Sequence, residues 1–193
     1  MIQMVDYHEK CMLYWSGGIY HGPTFRKELI SAYGESHELD IQKLDWRWTA
    51  LMFSILSSAI IGSTEATSST WKYASSEKVR LAKQWGNACI ACLQLGDYAS
   101  KYHIYSVQAI LNLHTSEHLV GSTKEWIVYQ NGAIAIARGL GLHRYVTCLL
   151  LRSHISDCLG LDHTPTMANA TNSAQSVKMP WFSGKLVVGS GWA

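Results

Sequence analysis

A chain of 193 residues is long enough for one domain with a sizeable core. Hydrophobic residues make up 48% and charged residues only 16%, against a usual charged share of about 25%, so the chain predicts either a large Trp-rich helical core or a face covered by further chain or a partner. The net charge of +2 excludes a strongly basic nucleic-acid groove and a surface built for anionic membranes.

In chain order, Met4 to Trp15 reads as a helix with Val5, His8, Met12 and Trp15 on one face. Ser16-Gly17-Gly18 breaks it. Pro23 suits the first turn of a second helix running to Tyr33, because its missing N–H costs nothing there, and Gly34 ends that helix. A polar linker leads to Lys43. The third helix spans Asp45 to Ile61, with Trp48, Met52, Ile55, Leu56 and Ile60 facing the core. A Ser/Thr-rich connection, Gly62 to Thr70, precedes a helix over Ser75–Leu95, and Gly96-Asp97 makes the next turn.

The stretch from Asp97 to Arg144 then predicts a helical hairpin. Its first helix carries Ile104, Val107, Ile110 and Leu111 as an apolar stripe. Ser122 or Thr123 caps the second, which carries Trp126, Ile127, Ile134 and Ala137, with Gly132, Ala133 and Ala135 allowing close helix approach. Gly139 and Gly141 suit its stop. No alternating strand stands out before Leu186, so the predicted class is all-α: an irregular antiparallel helical bundle. Residues 145–193 form an atypical tail whose Thr, Asn, Ala and Ser content between His163 and Lys178 predicts loop or disorder.

No signal peptide or membrane span is apparent. Asp6, Glu9 and Lys10 interrupt the amino terminus. The run Leu51 to Ile61 contains Ser54, Ser57 and Ser58 and falls short of the roughly 18 to 20 residues that span a bilayer. These features predict a soluble, intracellular protein with no membrane partner.

Chemistry-bearing patterns each meet a structural explanation. The five cysteines, Cys11, Cys89, Cys92, Cys148 and Cys158, are too scattered for a disulfide framework. Cys89-Ile90-Ala91-Cys92 has the spacing of zinc knuckles, yet no second such pair exists, and its helical context predicts core packing. His114 and His118 stand four apart, but Thr115 occupies the position a metalloprotease gives to glutamate, which predicts surface histidines. His143 and Arg144 suit the carbonyls at a helix end. Ser190 lies in Gly189-Ser190-Gly191, which is not a nucleophile elbow, and the Asn169-Ala170-Thr171 sequon matters only in a secreted chain. No phosphate-binding loop appears. The sequence assigns no catalytic, cofactor-binding or metal-ligating residue. If an enzyme were built on this scaffold, its candidate polar groups would be His21, His103 and His143.

Three segments share an order with a known family. Tyr20-His21-Gly22-Pro23-Thr24-Phe25-Arg26-Lys27-Glu28-Leu29 opens a helix on Pro-Thr-Phe, and Leu44-Asp45-Trp46 leads through Ile55-Leu56-Ser57. Gln108-Ala109-Ile110 precedes the ending Ala135-Ile136-Ala137-Arg138-Gly139-Leu140-Gly141-Leu142-His143-Arg144. Together they resemble the fungal-specific transcription factor domain, the middle homology region of zinc binuclear cluster regulators, over residues 1–144. The resemblance implies a nuclear regulatory domain that acts through protein partners or the rest of a longer regulator, with a small-molecule inducer as a further candidate.

It also implies what this segment lacks. The family's zinc sits in a six-cysteine cluster upstream, absent from these residues, so no direct nucleic-acid contact and no cofactor are expected here. The arginine-rich helix that follows in the family is replaced by Tyr145-Val146-Thr147-Cys148-Leu149-Leu150-Leu151-Arg152. That departure raises the alternative of a truncated fragment, or a reading frame that retains an intron, with no independent activity.

Overall fold

Every residue from Trp48 to Ile60 is buried, on all sides of one helix. Such a helix has no solvent face and must be wrapped by the rest of the domain. In the computed structural model, which describes residues 1–34 and 39–142, the wrapping elements are all helical. They are α1 (Ile2–Tyr7), continued by a π-helical segment (His8–Met12); α2 (Gly22–Tyr33); the central α3 (Trp46–Gly62); the short α4 (Glu65–Thr70); α5 (Lys78–Leu95); α6 (Ile104–Leu113); and α7 (Thr123–Gly139). The fold is all-α, with no strand among the described residues.

Local chemistry sets the boundaries. The Asp45 carboxylate accepts from the Arg47 and Trp48 backbone N–H groups, capping α3. Ser122 caps α7, and Glu125 reaches back to the Ser122 N–H at 2.7 Å, completing a capping box. Pro23 sits in the first turn of α2, and Gly34, at φ 54°, ends it. Gly17 and Gly18 take φ of 71° and 68° after the first helix, conformations that exact a steric cost from other residues.

α3 packs most extensively against α5 and α6, and α6 packs on α7. The three serines of α3 tie this centre together. Ser54 donates to the Leu51 carbonyl (2.7 Å) and accepts from the Asn112 amide of α6 (3.2 Å). Ser57 donates to the Ala82 carbonyl of α5 (2.8 Å), and Ser58 to the Asn112 carbonyl (2.9 Å). A buried hydroxyl needs a partner, and here the partners are the neighbouring helices. No helix among the described residues is long and apolar enough to cross a membrane.

Several local expectations are corrected. The first helix ends at Met12, and the Leu13 N–H reaches the His8 carbonyl five residues back (2.8 Å). A π segment turns less per residue than an α-helix, so the face begun by Met4, Val5 and His8 drifts away, and Trp15 emerges 80% exposed. Within the Gly62–Thr70 connection lies α4, capped by the Thr64 hydroxyl. On α7 the buried positions are Trp126, Gln130, Ala133, Ile136 and Ala137; Ile127 and Ile134 are half-buried and Ala135 is exposed. The tail 145–193, with Cys148, Cys158, Asn169 and Ser190, lies outside the described residues.

Candidate functional site

The segment Tyr20–Glu28 explains itself by packing. Phe25 stacks on Trp48 with ring centroids 5.3 Å apart and meets Tyr20 edge-on at 5.4 Å. Gly22 leaves room for Glu9, whose Cδ would lie 2.8 Å from a Cβ there. Arg26 pairs with Asp6 at 2.9 Å and with Glu9, fastening α2 to the first helix. Glu28 accepts from the Trp48 indole N–H (2.8 Å) and from the Tyr105 hydroxyl (2.9 Å), so one carboxylate joins α2, α3 and α6.

The same segment places an imidazole. His8 is 1% exposed, its Nδ1 is 2.9 Å from the Tyr20 hydroxyl, and the two rings stack at 5.7 Å. Burial pushes the imidazole down to about 4, opposed in part by Asn112. His8 is therefore neutral at pH 7. Burial also raises the Tyr20 phenol well above its ordinary value, so Tyr20 keeps its proton.

His8 stands in the wall of a cavity of about 370 Å³. The cavity lies where the π-helical segment meets α6, the 3₁₀ turn His114–Leu119 that extends it, and α7. Met12, Ile19, Ile110 and Leu111 supply aliphatic wall; Tyr7, Trp15 and Trp126 supply aromatic wall; Gln130, Thr115 and Cys11 add polar atoms. No Asp, Glu, Lys or Arg lines it. Its size falls in the lower part of the range for small-molecule pockets, about 300 to 1,000 Å³. π-helical turns are frequent at functional sites, and this one contributes His8, Cys11 and Met12 together.

Of the histidines singled out from the sequence, His114 lines the cavity beside Thr115, whereas His21 and His103 lie elsewhere. His21 precedes α2, with its Nδ1 2.7 Å from the Thr24 hydroxyl. His103 caps α6 by accepting from the Tyr105 N–H at 3.2 Å, and burial followed by the nearby Arg47 lowers its pKa. Neither lines the cavity, and His143, like Arg144, falls outside the described residues. The residue sequence reasoning passed over is His8, which it placed on a helix face without assigning it a role. The signal was present: one imidazole among Val5, Met12 and other apolar residues needs a hydrogen-bond partner when buried.

Cys89 and Cys92 are both buried in α5. Burial raises both thiols, Cys92 to about 12, so neither is a thiolate at neutral pH and both serve as core packing. His114 bonds Glu117 through Nδ1 at 2.7 Å, whereas His118 is exposed. The turn carrying them is 3₁₀, with three residues per repeat, so a four-residue spacing does not put two rings on one face. Among the described residues no group of three or more His, Cys, Asp or Glu is placed to hold a metal ion.

The arrangement offers a binding cavity with no Asp, Glu, Lys or Arg in its lining, walled by the first helix on one side and the α6–α7 hairpin on the other. Comparison with known proteins finds no family model that matches the chain, and no curated protein or solved structure similar to it.

Proposed function

We propose that this chain is a regulatory domain of a fungal transcription regulator that acts by binding rather than by catalysis. The observation that carries the reading is the cavity at the seam between the first helix and the α6–α7 hairpin. Occupancy there would bias how two elements sit against the core, which is what a ligand-responsive domain requires. The transcriptional part of the reading rests on the ordered resemblance of Tyr20–Leu29, Leu44–Ser57 and Gln108–Arg144 to the middle homology region. In this reading the domain works in the nucleus with protein partners or with the remainder of a longer regulator. DNA contact and zinc belong to the upstream cluster of its full-length relatives.

The test joins the full chain to a heterologous DNA-binding module in a fungal host carrying the matching reporter, with a fluorescent tag to follow location. Reporter output that departs from the DNA-binding module alone, together with nuclear accumulation of the untethered chain, supports the proposal. Output identical to the module alone across growth media, with the untethered chain excluded from the nucleus, overturns it.

A further inference from the structure

The cavity lining constrains what it can hold. A charged ligand entering it would lose hydration and gain little in return, because no Asp, Glu, Lys or Arg lines the wall and the one further imidazole there, His114, is already bonded to Glu117 at 2.7 Å. Its one deeply buried titratable wall group, His8, is neutral at physiological pH, since burial holds it well below its ordinary value. Apolar side chains dominate the remaining surface, which favours a ligand of mainly hydrocarbon character.

One ring nitrogen supplies the polar side of the recognition. Trp126 is 5% exposed and its indole Nε1 is buried without a hydrogen-bond partner. An indole N–H is a donor only, so it calls for an acceptor. His8 Nε2 is also buried, but the Asn112 side chain is hydrogen-bonded to this imidazole and Nδ1 already faces Tyr20, so Nε2 is not offered to a ligand. The unpartnered nitrogen on a wall residue is thus the Trp126 donor. An unmade buried hydrogen bond is costly, and an acceptor on a bound ligand removes that cost.

From these observations we infer that the cavity binds a small, uncharged, largely apolar molecule carrying a hydrogen-bond acceptor such as a carbonyl oxygen, which the Trp126 indole N–H recognises. The class includes aromatic and terpenoid ketones, esters and lactones. The inference names the effector class for the regulatory reading and rests on that reading for its purpose. Its geometry stands on the cavity alone.

The test uses the purified chain, residues 1–193, and three matched fluorescent probes: 2-acetylnaphthalene, 2-ethylnaphthalene and 2-naphthoate. The neutral ketone is expected to bind saturably at one site, about tenfold more tightly than the hydrocarbon, the worth of one buried hydrogen bond near the upper end of the usual range. The carboxylate is expected to bind most weakly. Trp126→Phe keeps an aromatic wall and removes the donor, and should erase the advantage of ketone over hydrocarbon. Leu111→Trp fills the cavity and should weaken all neutral probes, with circular dichroism confirming that both variants fold. Four results overturn the inference: no saturable binding of the ketone, carboxylate binding as tight as the ketone, an unchanged ketone advantage in Trp126→Phe, or unchanged binding in folded Leu111→Trp. Binding by the purified chain with a silent reporter would separate this inference from the transcriptional reading, and an active reporter without probe binding would do the reverse.

Discussion

At the residue scale, His8 makes the chain sensitive to acid. Its pKa is near 4 when folded and about 6.5 in an unfolded chain, so the unfolded state binds the extra proton first. Stability from this site is complete above about pH 6.5, falls as the pH drops toward 4, and changes no further below that. The size is about 3 kcal/mol at order of magnitude, from roughly 1.4 kcal/mol per pKa unit. His8→Asn retains a polar partner for Tyr20 without titrating. Urea denaturation between pH 7 and 4 should therefore show a shallower loss of stability in the variant, while carboxylate titrations common to both proteins cancel in the difference. Parallel curves for the two proteins would show that His8 is not the titrating group.

Glu28 belongs to the same scale. Its two oxygens each hold a donor from a different helix, the Trp48 indole and the Tyr105 phenol. Glu28→Ala removes both acceptors, and with the site half-buried the expected loss is about 1–2 kcal/mol. Glu28→Gln keeps one carbonyl oxygen, so it should lose less. Chemical denaturation that ranks glutamine below alanine in damage checks the bridge; equal losses would show that only the charge matters.

At the scale of elements, glycine marks where helices touch. A Cβ on Gly86 of α5 would lie 2.3 Å from Val120 Cγ2 and 3.5 Å from Leu113 Cδ1. Alanine gains about 1 kcal/mol of helix propensity there, yet overpacking against a stiff β-branched side chain costs about 1–3 kcal/mol. Gly86→Ala should be net destabilising by up to about 2 kcal/mol, and adding Val120→Ala should restore much of the loss despite the cavity that change creates. At Gly62 the only close atoms belong to the end of the Met12 side chain, which can swing aside. Gly62→Ala should change thermal stability little, and a large drop there would contradict the packing account.

This scale also shows what was legible in advance. The limits of α2, α3 and α7 could be read from Pro23, Gly34, Asp45 and Ser122 because capping and chain reversal are local chemistry. The buried face of α7 could not: Gln130 lies inward and Ala135 outward, an orientation set by what α6 presents. Trp15 was misplaced for the same class of reason, since the π segment that turns it outward leaves no mark in apolar spacing. The cavity was the least legible feature. Its wall joins residues near positions 8, 111 and 126, and only the tertiary meeting of three elements puts them on one wall.

At the scale of the whole molecule, α3 is the buried axis and the first helix is the element that borders the cavity. α3 is buried along its length and bonded through Ser54, Ser57 and Ser58 to α5 and α6. The first helix docks through Met4, Val5 and His8, and its far end opens on the cavity instead of on packed side chains. Amides with few packed neighbours exchange through local opening, whereas those of a wrapped core helix exchange only when the domain unfolds. Native-state hydrogen exchange should therefore rank α3 as the slowest element and residues 5–16 as faster than the global limit. A ligand in the cavity contacts both sides of the seam, so saturating 2-acetylnaphthalene should slow exchange over residues 5–16 and in α6 well beyond its effect on α4. Equal slowing everywhere would mean that the ligand merely stabilises the folded state as a whole. Selective slowing along the seam is the outcome that makes the cavity a control point, because only there does binding energy act on a part of the fold that opens by itself.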